Sequence, residues 1–256
     1  MSIQKQLLTL VQQNEIAANV YEAVLEGELV SQMTSPGQFI HVKVQEGSVP
    51  LLRRPISLCD VDLASQRLTI IYRAQGAGTK ALAALQPGAK VDVLGPLGQG
   101  FDPEMKSNAS ALLIGGGVGV PPMYYLSKEL TKRGVKVSHI LGFDSARSVF
   151  YEEAFATLGP TTVTTVDGSR GQKGFVTDAL SHYGKPDRVY ACGPLPMLRA
   201  LEVACQDDEL YVSLEERMGC GVGACLACVC RTNESDTAYK KICTDGPVFR
   251  AGEVVL

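Results

Sequence analysis

Between Lys5 and Leu97 apolar and polar positions alternate in short runs, and six of these are predicted strands: Leu7–Val11, Val20–Leu25, Phe39–Val44, Ile56–Val61, Leu68–Tyr72 and Lys90–Leu94. Turn formers separate them, Ser35-Pro36-Gly37 and Gln86-Pro87-Gly88 among them. One helix is predicted in this half, Lys80–Leu85, with Thr79 as its N-cap and Gly88 just past its end. Short strands with a single helix point to a small antiparallel β-barrel.

Beyond Gly100 the period changes. Ala111–Ile114 is an apolar strand, followed by Gly115-Gly116-Gly117-Val118-Gly119 and a predicted helix, Pro121–Arg133. Proline suits that helix start, because its missing N–H would have had no partner there. Strand Val135–Leu141, helix Val149–Leu158, strand Thr161–Val166, helix Val176–Tyr183, strand Arg188–Ala191, helix Pro196–Ala204 and strand Leu210–Ser213 follow. Such alternation predicts a doubly wound parallel α/β sheet covered on both faces. The rhythm changes near Phe101–Ser107 and a cysteine-rich stretch starts at Glu215, so three parts are expected: a barrel over 1–101, an α/β domain over 102–214 and a small module over 215–256.

Composition alters this picture little. Of 256 residues 45% are hydrophobic and 20% charged, the net charge is −3, and no basic block speaks for nucleic acid. No window approaches a membrane-spanning apolar run, and Met1–Val20 is polar throughout with no signal core. A cytoplasmic protein is expected.

The cysteines alter it a great deal. Cys220, Cys225 and Cys228 form C-x4-C-x2-C, and Cys243 follows after 14 further residues. That is the plant-type spacing for a [2Fe-2S] cluster, whose sulfide-bridged irons need soft anionic ligands. Gly219, Gly221 and Gly223 suit a loop that brings amide groups up to sulfurs. A structural zinc site is the competing reading, but it usually comes as two C-x2-4-C knuckles, and here the fourth cysteine stands alone. Disulfides fit poorly in a reducing compartment. Cys230 also follows Cys225 at x4 and could replace Cys228 or Cys243; the plant-type pattern prefers Cys243.

Other stretches offer candidate chemistry. Gly115–Gly119, between a strand and a helix N-terminus, could hold a pyrophosphate on backbone N–H groups, or be only a tight turn. Asp144 could accept from a ribose 2′-OH and favour NAD over NADP, or cap the helix from Val149. Cys192-Gly193-Pro194 ends a strand and leaves space for a flat ring, although Cys192 taken alone reads as a small core residue. In the barrel, Arg54-Pro55-Ile56-Ser57 offers a cation for phosphate and a hydroxyl for a flavin ring nitrogen. Gly76-Ala77-Gly78-Thr79 opens the barrel helix, and Tyr72 and Arg73 either contact a cofactor or are ordinary strand residues. His41, His139 and His182 show no metal-ligand spacing, and Cys59 and Cys205 read as core thiols. No acid–base constellation stands out and no catalytic residue is assigned, which suits a carrier of electrons more than a transformer of carbon.

Taken together, the chain resembles the ferredoxin-NADP reductase superfamily along essentially its whole length. Within it, the chain is most similar to the electron-transfer subunits of NAD-dependent dihydroorotate dehydrogenases. The resemblance rests on Arg54-Pro55-Ile56-Ser57, Gly95–Phe101, Gly115–Pro122 and, most specifically, Leu214–Cys225. It implies an FAD site completed by Ile71-Tyr72-Arg73 and Gly78-Thr79, and NAD as diffusible acceptor at Gly115, Gly116, Gly117, Val118 and Gly119. It also implies Cys220, Cys225, Cys228 and Cys243 as the ligands of a [2Fe-2S] cluster. Further implied are oxidation of dihydroorotate on the FMN of a separate catalytic subunit, passage of electrons through cluster and FAD to NAD+, and a heterotetramer of two catalytic and two electron-transfer subunits. Ferredoxin, sulfide or hydrogenase reductases share these parts, and a zinc-stabilised binding module is the non-redox alternative.

Overall fold

The computed structural model describes residues 3–44, 51–233, 235 and 237–256; the expected segments 1–101 and 215–256 both run through positions outside these. Six strands close the barrel: β1 (Gln4–Ala17), β2 (Val20–Glu26), β3 (Phe39–Lys43), β4 (Arg54–Asp62), β5 (Arg67–Arg73) and β6 (Lys90–Leu97). They are antiparallel throughout, in the order β1-β2-β5-β4-β3-β6. Leu8, Leu25, Ile40, Leu58, Ile70 and Val93 fill the interior. β1 runs past the expected Leu7–Val11, with a register shift between Leu10 and Gln12, and its outer half pairs with β2. The barrel helix α1 (Ala77–Ala83) is capped by Gly76 rather than Thr79. Thr79 lies one turn in, where its hydroxyl accepts from the Gly76 N–H at 3.2 Å.

The second half builds a seven-stranded sheet from β7 (Ser110–Gly116), β8 (Lys136–Phe143), β9 (Thr161–Thr165), β10 (Gln172–Lys173), β11 (Arg188–Cys192) and β12 (Leu210–Ser213), joined at its edge by a strand from the cysteine module. The order is β10-β9-β8-β7-β11-β12 and these pairings are parallel. Central β7 is buried from Ala111 onward, as an apolar strand covered on both faces must be. Helices α2 (Val120–Lys132), α3 (Glu152–Ala156) and α4 (Leu195–Ala204) connect the strands. α2 also joins the two halves: Met123 and Leu126 pack with Cys59 and Ile71 of the barrel, the Tyr125 hydroxyl donates to the Met33 carbonyl at 3.2 Å, and Lys128 pairs with Asp60 at 2.6 Å. Cys59 and Cys205 are buried core thiols.

Two expected helices differ. Val149–Leu158 reduces to α3 because Tyr151 is left-handed (φ 63°), which stops a helix from starting earlier. The hydroxyl of Tyr151 donates to Glu22 of the barrel at 2.5 Å, so the contact that breaks the helix also ties the halves together. Val176–Tyr183 is a run of 3-10 turns over Val176–His182; the Asp178 carboxylate accepts from the Phe175 N–H at 2.8 Å. Short polar side chains of this kind compete for backbone groups.

After β12 the chain forms the hairpin β13 (Val229–Arg231) and β14 (Tyr239–Lys241), then β15 (Val248–Arg250), antiparallel to β12. Met218, Cys228, Cys243 and Phe249 share one core with Phe39 and Leu97 of the barrel and Val212 of the sheet. The module therefore sits in the angle between both halves.

His139 on β8 is fully buried, with Ser127 Oγ at 2.8 Å on Nε2 and Thr161 Oγ1 at 3.0 Å on Nδ1. Burial lowers its pKa from 6.5 to about 4. Below pH 6.5 the unfolded chain takes up a proton that the folded chain refuses, so stability falls with pH, by about 3 kcal/mol across the window down to pH 4. Urea midpoints measured from pH 7 to 4.5 are expected to fall, and His139→Gln to flatten that slope while lowering stability at pH 7.

Candidate functional site

Four cysteines are brought together as two pairs. Cys220 and Cys225 are within hydrogen-bonding reach of each other, and so are Cys228 and Cys243. Backbone N–H groups aim at three of the sulfurs: Cys220 N at Cys225 Sγ (3.4 Å), Val222 N at Cys220 Sγ (3.4 Å) and Gly223 N at Cys243 Sγ (3.2 Å). Positive φ at Gly221 (73°) and Gly223 (79°) lets the loop curl around the sulfurs, and Leu226 (56°) is also left-handed. Burial works against ionisation of Cys220, but the amides of Val222 and Cys225 outweigh it and bring its pKa down to about 7. Burial, reinforced by Cys228, pushes Cys243 up to about 12. Cys230 turns away, its thiol donating to the Lys240 carbonyl at 3.6 Å inside the hairpin. Among the described residues no three His, Cys, Asp or Glu side chains converge on one ion position. Two thiol pairs served by amides suit a dinuclear iron–sulfur group better than a single tetrahedral zinc.

Against this module lies a cleft of about 610 Å³, bounded by Phe39, Arg54, Ile56 and Ser57 on the barrel side and by Glu215 and Met218 on the other. Pro55 also borders it. The Arg54 guanidinium lies across the start of α1, so close that a Cβ at Gly78 would stand 2.6 Å from its Nε. A cation over a helix N-terminus offers charge and N–H groups to a phosphate. Ile71 and Tyr72 point elsewhere: both are buried, and the Tyr72 hydroxyl donates to Gln13 Oε1 at 2.7 Å. Arg73, the third of that trio, lines a second cleft.

The second cleft, about 740 Å³, opens at the carboxyl ends of the sheet strands. Gly116, Gly117, Val118 and Gly119 form its floor, with Asp144, Gly193 and Pro194 around it. The loop glycines do different jobs. Gly117 has φ 54° and faces Arg73, whereas a Cβ at Gly119 would lie 2.2 Å from the Cys192 carbonyl oxygen. Gly115 is held against Val120, where a Cβ would meet Cα at 2.8 Å. Cys192 itself is fully buried and does not face the cleft; burial raises its thiol well above the ordinary range. Asp144 borders the cleft and caps no helix, since α3 begins at Glu152 with Tyr151 as its cap residue.

Sequence reasoning missed Glu215, which borders both clefts. Its side chain is open to solvent between the clefts, yet the protein crowded around the site disfavours its charged form and raises its pKa. Its only signal was its place just before the cysteine run. Phe175, an exposed aromatic on the rim of the second cleft, was missed because it preceded an expected helix. Its ring is a stacking surface for a base.

Comparison with known proteins agrees with this geometry. Residues 215–255 match the family model of the iron-sulfur cluster binding domain of dihydroorotate dehydrogenase B, and residues 113–202 that of the oxidoreductase NAD-binding domain. The chain is 59% identical to the dihydroorotate dehydrogenase B (NAD(+)) electron transfer subunits of Bacillus cereus (strain AH187) and Bacillus anthracis, over 99% of its own length and 100% of theirs. Among solved structures it is similar to an NADH-dependent reduced ferredoxin-NADP oxidoreductase (TM-score 0.87, 30% identity, 98% of this chain and 90% of that one). A cytochrome P450 reductase from Amycolatopsis shares the fold at TM-score 0.69 and 22% identity, over 80% of this chain and 66% of that one.

Proposed function

The chain belongs to the family of dihydroorotate dehydrogenase B (NAD(+)) electron transfer subunits, and we propose that it carries electrons from a dihydroorotate-oxidising FMN subunit to NAD+. One observation carries the reading: the cysteine loop, the first cleft and the second cleft lie in series, and Glu215 borders both clefts. When bound, a [2Fe-2S] cluster and FAD supply single-electron relay and hydride transfer. Cys220, Cys225, Cys228 and Cys243 would hold the cluster. Arg54, Pro55, Ile56, Ser57, Gly78 and Thr79 would hold the flavin, with Arg54 neutralising phosphate over α1. Gly116–Gly119 would take the nicotinamide nucleotide's pyrophosphate at the start of α2, and Asp144 would accept from the adenosine ribose 2′-OH. The flavin-binding, nucleotide-binding and cluster roles thus divide as 1–101, 102–214 and 215–256.

Around the cysteines the surface is open and apolar. Cys225 is exposed, and Val222, Leu226 and Val229 are between 39% and 49% exposed. We assign this face to the catalytic subunit, since electron transfer requires proximity, and a heterotetramer of two subunits of each kind in the cytoplasm completes the proposal. The relative at 59% identity favours the dihydroorotate role over the ferredoxin-linked one at 30%.

The test is a complex isolated through this chain. It is expected to form NADH from dihydroorotate and NAD+, with a mass of two subunits of each kind. NADP+ should serve poorly, and better after Asp144→Gln. Absence of dihydroorotate-dependent NADH, with turnover of reduced ferredoxin instead, would assign the chain to another reductase.

A further inference from the structure

We infer that the imidazole of His41 donates a hydrogen bond to a sulfur of the iron–sulfur group held in the cysteine loop, and so sets how readily that group is reduced. The inference rests on the reading of the loop given above. It begins with the alternation of β3. Ile40 and Val42 point into the barrel interior, so Phe39 and His41 face the other way. Phe39 on that face shares a core with Met218, Cys228 and Cys243 of the cysteine module, and its ring meets that of His41 edge-on, with centroids 6.0 Å apart.

His41 is fully buried, yet among the described residues neither of its ring nitrogens has a hydrogen-bond partner. The other buried histidine, His139, has a hydroxyl on each nitrogen. A core histidine with no further role would be satisfied in that way, because an unpaired buried polar group is costly. The ring of His41 lies instead against the segment that joins Cys220 to Cys225. A Cβ at Gly221 would stand 2.6 Å from Nδ1 and 2.8 Å from Cε1, so only glycine lets the loop pass this close. The loop amides of Cys220, Val222 and Gly223 already aim at sulfurs. His41 approaches from the barrel, the side on which Phe39 borders the first cleft.

A donor to sulfur stabilises the reduced group more than the oxidised one, since reduction adds negative charge to the sulfurs. His41 is therefore a positioning and tuning residue that takes no part in bond making. The experiment uses the native complex grown on 15N-histidine and reduced anaerobically. Pulsed EPR of the paramagnetic cluster is expected to show coupling to a histidine ring nitrogen, and His41→Leu to abolish it. In His41→Leu the reduction equilibrium of the cluster is expected to shift about tenfold toward the oxidised form, 59 mV for a one-electron couple. His41→Gln, which keeps a side-chain N–H, is expected to recover at least half of that shift. An intact cluster signal with no histidine coupling in the native protein overturns the inference, as does an unchanged potential in His41→Leu. If that variant fails to assemble a cluster, the coupling in the native protein decides alone. A native protein with no iron and no labile sulfide overturns the reading of the loop itself.

Discussion

Replacing Cys243 with alanine is expected to strip iron and labile sulfide from the protein and to lower dihydroorotate-dependent NADH formation by at least roughly a thousandfold, a barrier increase of about 4 kcal/mol. Three thiolates cannot complete the coordination of two irons, and alanine offers no lone pair in their place. Cys243 is buried and takes the Gly223 amide at 3.2 Å, so its removal also orphans a loop donor. Metal binding and folding of a small module are coupled, and the loop is expected to loosen with the loss. Two controls make the result specific. Cys230→Ala should keep the full iron content, because its thiol is engaged with Lys240 inside the hairpin. NADH oxidation by ferricyanide, which needs no cluster, should persist in Cys243→Ala. If Cys230→Ala lost iron and Cys243→Ala retained it, the ligand assignment would be wrong.

Gly119→Ala has the second largest expected effect. Its new methyl group would lie 2.2, 2.4 and 2.6 Å from the Cys192 carbonyl oxygen, the Cys192 carbonyl carbon and the Gly193 nitrogen. These are backbone atoms at the carboxyl end of β11 and just beyond it, and they cannot swing aside as a side chain could. Overpacking of this kind costs about 3 kcal/mol. The start of α2 must retreat from the sheet, which withdraws the N–H groups that face the second cleft. KM for NAD+ is therefore expected to rise at least tenfold, with the iron content unchanged. Gly184→Ala, at an exposed position with no atom within 4 Å of the added methyl, should change neither stability nor KM. Steady-state kinetics and thermal melts on the two variants check this, and equal behaviour would show that the close approach is not needed.

What could be seen in the chain beforehand was what is local. Cysteine spacing, a glycine run between an apolar strand and a helix, and proline at that helix start are written within a few dozen residues of each other. The barrel strands also followed from alternation, since one face of each is buried. What escaped depends on contacts between distant parts. The left-handed Tyr151 shortens its helix because its hydroxyl reaches Glu22, over a hundred residues earlier. β13, β14 and β15 are three residues each, too short to carry a period, and β15 exists because β12 offers an edge. Thr79 was expected as a cap because threonine often caps, yet Gly76 precedes it on the extended backbone that a cap needs. Glu215 reaches both clefts only after the cysteine module folds back into the angle between barrel and sheet. His41 showed no ligand spacing in the chain, and its meaning comes from Gly221, far away in sequence, lying against its ring.

The central claim is that electrons from dihydroorotate reach the cofactors of this chain. An anaerobic visible spectrum of the native complex, purified through this chain and recorded before and after addition of dihydroorotate, tests it most directly. The account predicts flavin and iron–sulfur absorption that bleaches on addition of dihydroorotate and returns with NAD+. Bands that bleach with NADH but not with dihydroorotate, or a colourless preparation containing zinc, would contradict it.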